Sequence, residues 1–391
     1  MTLQKTEIAV VGGGMVGGAL ALGLAQQGFQ VTVIEQAAPP EFDEAQQPDV
    51  RISAISAASV DLLRGLGVWE AILAMRAHPY RRLETWEWET AHVTFDAAEL
   101  KLPLLGYMVE NNVLQLALWQ ALEAHENVTL RVPDSLKALH RHEGGYLLEL
   151  ANGDELAVKL VVGADGANSQ VRQMAGIGIH AWQYQQSCML ITVKCENEPG
   201  DSTWQHFTPN GPHAFLPLFG HWASLVWYDT PARIRQLQSL SMDQLQREIE
   251  KHFPARLGAV TPVAAGGFPL TRRHALQYAQ EGLALVGDAA HTIHPLAGQG
   301  VNLGYRDVEA LLSVMSSARD HAEPWASAAV LKRYQTRRMA DNFLMQSGMD
   351  LFYAGFSNDL GPVRILRNVG LMAAERAGGL KRQALKYALG L

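Results

Sequence analysis

The sequence predicts an α/β protein in which a Rossmann-like nucleotide-binding domain is interleaved with a mostly antiparallel β-sheet domain, followed by a helical C-terminus. Three observations carry this expectation. The chain opens with an apolar run, a glycine turn, a helix-forming segment and a second apolar run; an aromatic-rich block from Ser187 to Tyr228 reads as strands with turn signals; and the chain beyond Asp288 is mainly helical. No repeat, low-complexity tract or flexible linker separates these regions, so the chain is expected to cross between domains more than once. The expected division gives the nucleotide-binding domain segments 1–80, 106–180 and 271–340. The sheet domain takes 81–105 and 181–270, and 341–391 forms the C-terminal helical region.

Composition narrows the function classes. At 391 residues the chain is longer than one ordinary core of roughly 150 residues. Its 48% hydrophobic and 18% charged residues exclude a disordered chain. Lys plus Arg number 32 against 39 Asp plus Glu, a net charge of −7, which argues against a nucleic-acid partner. Two cysteines, Cys188 and Cys195, supply neither a disulfide scaffold nor a four-ligand zinc site and fit a reducing, cytoplasmic setting.

Ile8 to Ile34 carries no charge over 27 positions, long enough to cross a bilayer, but it contains seven glycines and three glutamines. It divides into Ile8-Ala-Val-Val, a turn, a helix from about Met15 to Gln27, and Gln30 to Glu35. This is the pattern of a parallel βαβ unit buried on both faces. A polar loop spans Ala37 to Asp49, residues 52–67 look helical, and Leu83–Glu89 alternates with period two as a half-exposed strand. A helix is expected from Val113 to His125 behind two plausible caps, Asn111 and Asn112. Strands are expected at 128–132, 146–150, 156–162 and 283–286, and a helix at 241–252.

Three motifs carry chemistry. In Gly12-Gly-Gly14-Met-Val-Gly17, the first glycine permits the strand-to-helix turn, Gly14 lets backbone approach a pyrophosphate, and Gly17 allows close helix packing. The helix N-terminus favours phosphate, and Glu35, at the end of the second strand, can accept hydrogen bonds from a ribose. This pattern indicates a dinucleotide without separating FAD from NAD. In Gly163-Ala-Asp165-Gly166-Ala-Asn168-Ser169, Asp165 and Asn168 can hold a strand-to-helix turn, and a plain capped junction is the alternative. In Gly287-Asp288-Ala-Ala-His291-Thr-Ile-His294-Pro295-Leu-Ala-Gly298-Gln299-Gly300-Val301-Asn302, Asp288 can bind sugar-alcohol hydroxyls. Amides near Gly298–Asn302 can stabilise negative charge at a helix start.

Together these motifs resemble the aromatic hydroxylase class of flavoprotein monooxygenases, the para-hydroxybenzoate hydroxylase fold, over essentially the whole chain. Asp49-Val-Arg51-Ile-Ser-Ala-Ile-Ser56, Gly106 to Gln115 and His291 to Gly304 further resemble the ubiquinone-biosynthesis hydroxylases within that class. The resemblance implies FAD as cofactor and NAD(P)H as electron donor. It implies that Gly12, Gly14, Gly17 and Glu35 hold the ADP moiety, that Asp165 serves FAD, and that Gly287 and Asp288 hold the ribityl chain. Arg51, Gln115, Pro295, Gly298, Gln299, Gly300, Val301 and Asn302 also become FAD contacts by that likeness. One departure is Asn111, where many members of the wider class carry an arginine.

The implied reaction is hydroxylation of the ring of a polyprenylated methoxy-methyl-benzoquinol with O₂ in ubiquinone biosynthesis. A hydroxylase of another ring position, a flavin-dependent isoprenoid reductase and a non-catalytic FAD-binding subunit of a quinone-synthesis complex stay open. No histidine pair has convincing metal spacing; His294 is the candidate base near the substrate, with a solvated loop residue as the alternative. Trp204, Phe207, Phe215, Phe219, Trp222, Trp227 and Tyr228 are read mainly as sheet core, with a hydrophobic channel as the alternative. From Val363 to Leu391, six cations accompany Glu375 alone. A basic amphipathic helix could meet an anionic membrane surface, the protein body or a partner, so the expected location is cytoplasmic or peripheral on the inner membrane.

Overall fold

The computed structural model describes residues 3–293, 300–356 and 361–390. The N-terminal part runs β1 (Leu3–Val11), α1 (Met15–Gln26), β2 (Val31–Ile34), β3 (Ile52–Ser56), α2 (Ala57–Gly65), α3 (Trp69–Met75), β4 (His78–Tyr80), β5 (Arg82–Trp86) and β6 (His92–Asp96). Next come β7 (Gly106–Glu110), α4 (Asn111–Glu123), β8 (Val128–Arg131), β9 (Leu136–His142), β10 (Gly145–Leu150), β11 (Glu155–Gly163) and α5 (Gln170–Met174). The middle holds β12 (Ile179–Cys195), β13 (Ser202–Thr208), β14 (Gly211–Pro217), β15 (Trp222–Asp229), α6 (Pro231–Gln238), α7 (Met242–His252) and β16 (Val260–Ala275). The chain closes with β17 (Ala279–Gln280), β18 (Leu283–Leu285), β19 (His291–Thr292), α8 (Gly300–Asp320), α9 (Ala328–Phe356), α10 (Gly361–Glu375) and α11 (Gly379–Leu389).

These strands form three sheets. The first has the order β17-β18-β11-β1-β2-β8, with β10 and β9 branching from β11; its central pairs are parallel. Every residue of β2 is buried, as a strand covered on both faces must be. The second, β19-β16-β12-β15-β14-β13-β5-β6, is antiparallel except where β13 meets β5. The third is the small antiparallel sheet β3-β7-β4. The chain therefore shuttles between sheets.

Several elements differ from expectation. Residues 52–56 are strand, not helix: Ile52–Ser56 pairs with β7, and the Ser56 hydroxyl caps α2, so the helix starts at Ala57. Asn111 and Asn112 lie inside α4 rather than capping it. Their side chains accept from Ser53 Oγ (2.6 Å) and donate to Asp49 (2.6 Å). β9 and the sixteen-residue β16 had no clear sequence signal; Pro262, Gly266, Gly267 and Pro269 read as strand breakers. β16 also runs across the expected boundary at 270/271, and α9 across that at 340/341. α7 ends as its signals say, opened by a capping box between Ser241 and Gln244.

Aromatic packing answers the channel question for most candidates. Trp204, Phe215 and Trp227 sit in one core with Ile234, Leu245 and Phe253 behind the second sheet, and Phe207 and Tyr228 are likewise buried. Cys188 and Cys195 are buried free thiols.

Candidate functional site

The first glycine turn is built by steric necessity. Gly12 has φ +102°, and a Cβ there would lie 2.4 Å from the Ala164 carbonyl oxygen. A Cβ on Gly17 would stand 1.9 Å from the Gly12 oxygen, so α1 packs directly on the turn. Gly14 differs: nothing lies within 4 Å of its Cβ position, leaving its backbone open to a ligand at the start of α1. The Glu35 carboxylate reaches this turn from the end of β2. It accepts from the Gly13 amide through Oε2 (2.7 Å) and from the Gln36 and Ala37 amides through Oε1 (2.7 and 3.3 Å). Oε2 keeps capacity for a further donor, such as a ribose hydroxyl.

Gln115 lies beside the same turn, its Nε2 donating to the Gly13 carbonyl (3.1 Å). Trp119, one turn further along α4, donates to that carbonyl too (2.7 Å). Sequence reasoning missed Trp119; its spacing from Gln115 was the available signal.

The third motif closes on the first through Val16. A Cβ on Gly304 would approach the Val16 side chain to 2.5 Å, and Gly287, at φ +58°, places its own Cβ position 3.3 Å from it. α8 and the Gly287 turn therefore clasp the first turn of α1. Asp288 follows, accessible in the cleft between them. Crowding by protein raises its carboxyl above the ordinary value, while His291, Arg273 and Arg51 pull the other way. Arg51 is exposed and near enough to act on Asp288. Its strand is held by the Asn111 amide on the Arg51 carbonyl (3.0 Å), and Glu110 accepts from the Asp49 amide (2.8 Å).

Beneath Asp288 lies an ion cluster that the sequence did not reveal. Asp307 is fully buried, accepting from His291 Nε2 (2.5 Å), Arg338 Nε (2.7 Å) and the Gly287 amide (3.0 Å). Burial pushes the Asp307 carboxyl up, but His291 and Arg338 outweigh it and hold it below the ordinary range. His291 is 2% exposed and committed to Asp307.

Other expected residues also have local duties. Asp165 accepts from Ser169 Oγ (2.5 Å) and from the Gln170 and Val171 amides (2.7 and 3.1 Å), which caps α5. Arg172 ties that motif to the third through the Ala289 carbonyl (2.8 Å). Asn302 is 1% exposed; its Oδ1 accepts from the Ser56 amide (3.0 Å) and Ser59 Oγ (2.7 Å), and its Nδ2 donates to the Ala54 carbonyl (2.8 Å). Its side chain thus staples α8 to the β3–α2 junction, leaving backbone as its means of meeting a ligand. Val301 is buried and Gly300 opens α8 with no atom near its Cβ position. His294, Pro295, Gly298 and Gln299 lie outside the described residues.

The cleft offers an open glycine backbone, a carboxylate at the end of a parallel strand and a second carboxylate beside another glycine turn. These fit the pyrophosphate, ribose and polyol of FAD. Residues 5–343 match a family described as FAD binding domain. The chain is 79% identical, over all of both chains, to 3-demethoxyubiquinol 3-hydroxylase of Escherichia coli (strain K12). It is 38% identical to a ubiquinone hydroxylase of Rhodospirillum rubrum, covering 99% of this chain and 90% of that one. Among solved structures, a p-nitrophenol 4-monooxygenase from Pseudomonas putida shares the fold at TM-score 0.82 and 20% identity, over 99% of each chain.

Proposed function

Because the chain belongs to the FAD-binding-domain family of flavoprotein hydroxylases, we propose that it hydroxylates the ring of a polyprenylated methoxy-methyl-benzoquinol in ubiquinone biosynthesis. It uses O₂, NAD(P)H and FAD. The observation that carries this reading is the full-length 79% identity to the E. coli 3-demethoxyubiquinol 3-hydroxylase. Bound FAD supplies the redox chemistry, accepting electrons from NAD(P)H and activating O₂ for transfer of one oxygen atom.

The chain's own residues bind, orient and exclude water. Gly12, Gly14 and Gly17 bring the start of α1 to the pyrophosphate, and Glu35 accepts from the adenosine ribose. Asp288 and the Gly287 turn take the ribityl chain, with Arg51 and Gln115 at the cleft wall. Gly300, Val301 and Asn302 present backbone amides at the start of α8, where partial positive charge favours an anionic ring. Asp165 serves by holding its turn against Gly12. Pro295, Gly298 and Gln299 complete our set of FAD contacts, and His294 is our candidate for the base that takes the substrate hydroxyl's proton. Strand membership supports the division of the chain given above in outline; β16 crosses its edge at 270, and β19 joins the second sheet from within 271–340.

We place the protein on the cytoplasmic side, in contact with a membrane or a quinone-biosynthesis complex. Among the described residues, no helix is long and apolar enough to cross a membrane. The test is mass spectrometry of lipid quinones from cells lacking this protein, grown with oxygen. An intermediate lacking only the last ring oxygen and its methyl supports the assignment, and a different deficient quinone moves the ring position. An unchanged pool, with no redundant hydroxylase present, sinks it.

A further inference from the structure

α10 buries a mixed face. Asn368 is fully buried and Arg367 is 8% exposed, both bonded to the buried Glu87 (Arg367 Nε to Oε2, 2.7 Å), and Leu371 packs beside them against Ala91 and Val93. Its outward side is apolar, with Ile365 at 56%, Leu366 at 72% and Val369 at 49% exposure, spaced as one helical stripe. An apolar stripe left in water marks an interaction surface.

The neighbouring helix adds charge. α11 packs on the short helical turn Ala97–Leu100, which directly follows β6, and α10 packs on β6 itself. Both helices therefore pack along one edge of the body, where β6 runs into that turn. Between that turn and α11 lies a cavity of about 680 Å³ lined by Lys101, Arg382 and Lys386, with Leu100 and the 72%-exposed Leu380 at its apolar side. Glu99 also lines it, but accepts from Lys381 (2.9 Å), which also reaches Glu375 (3.1 Å). The cations of the C-terminal stretch thus divide. Arg364 and Arg367 pair with the buried Glu87 and Lys381 with Glu99 and Glu375, while Arg376, Arg382 and Lys386 face out.

We propose that this edge seats the protein on an anionic lipid bilayer. The Ile365–Leu366–Val369 stripe and Leu380 enter the acyl boundary, while Lys101, Arg382 and Lys386 hold lipid phosphates in the cavity. In a chain of net charge −7, this local basic rim is what a negatively charged surface would select. A second copy of the chain is the poorer occupant, because a two-fold contact through this edge would bring like cations together. The surface argument stands on its own, though it suits the proposed function, whose prenylated substrate dissolves in the bilayer.

The test is co-sedimentation of the full-length, FAD-loaded protein with vesicles of phosphatidylcholine alone or mixed with phosphatidylglycerol. Binding is expected to the mixed vesicles and to weaken with salt. Leu366→Glu, which alters no buried contact, is expected to weaken it roughly thirtyfold, the transfer energy of one leucine. Arg382→Gln with Lys386→Gln is expected to weaken it by roughly fivefold per charge and to flatten the salt dependence. Native protein that ignores the mixed vesicles, Leu366→Glu that binds like native, or equal binding to neutral vesicles overturns the proposal. So does a Leu366→Glu variant that merely dissociates an oligomer. Hydroxylation of a short-chain, water-soluble quinol by Leu366→Glu reports on the enzymatic reading separately: its absence in native protein too would count against that reading and leave the surface result intact.

Discussion

The cleft floor and the ion cluster beneath it share the Gly287 turn, yet their polar groups differ in what they have left to offer. Asp307 has each oxygen occupied by buried donors from His291, Arg338 and the turn itself. Asp288, one residue from that turn, faces the cleft, and Glu35 is fixed by three backbone amides while its Oε2 keeps room for another donor. The difference separates scaffold from proposed ligand site more sharply than burial alone: a carboxylate whose partners are all internal builds the turn, and one that is oriented with acceptor capacity to spare is the kind we propose as a ligand contact. Asp165 and the Asn302 side chain fall on the scaffold side, although both sit in motifs that indicate FAD.

The strongest way to break this comparison is Arg338→Met. It strips Asp307 of a buried partner and releases Asp341 and Asn342, so the expected loss is about 3–5 kcal/mol of folding stability, read by denaturant unfolding. A loss under about 1 kcal/mol would show that the cluster is not structural. Asp288→Ala should do the opposite: near-native unfolding, FAD affinity weakened by roughly 10- to 100-fold through loss of a charged acceptor, and quinone production abolished in cells. Full activity in cells, with the protein abundant, would favour an idle FAD-binding subunit. Gly14→Ala sharpens the contrast further. Nothing in the protein meets its methyl, so stability should hold while FAD titration weakens up to about tenfold, because the methyl stands where backbone must approach phosphate.

What could be read from the sequence follows from the range of each constraint. The glycine turns, Glu35 and Asp288 answer to local backbone geometry, and a local pattern suffices to mark them as candidates. The ion cluster does not: Asp307 lies 16 residues from His291 and 31 from Arg338, and only folding shows that they meet. Ile52–Ser56 reads as helix because it continues without a break into α2, and the pairing with β7 that makes it a strand is remote in sequence. α10 shows the same limit. Its periodicity reveals a helix, but only Glu87, 280 residues before Arg367, decides that Arg367 and Asn368 turn inward.

The smallest expected effect tests the two aspartates against each other by pH. Asp307's folded pKa is depressed, so its stabilisation is present above the unfolded carboxylate value and lost as pH falls through the folded one. Asp288's folded pKa is raised. Its ionisation therefore opposes folding at neutral pH, and that penalty disappears below the unfolded value. FAD-free Asp288→Asn should then be slightly more stable than native at neutral pH, by roughly 0.5 kcal/mol as for a change at an accessible position. Asp307→Asn should be less stable. On acidification both differences should shrink toward zero from opposite sides, which thermal unfolding across the carboxylate range would trace. Two deficits of the same sign would mean that Asp288 is already held by internal partners, and the division between scaffold and ligand carboxylates would fail at the residue on which it most depends.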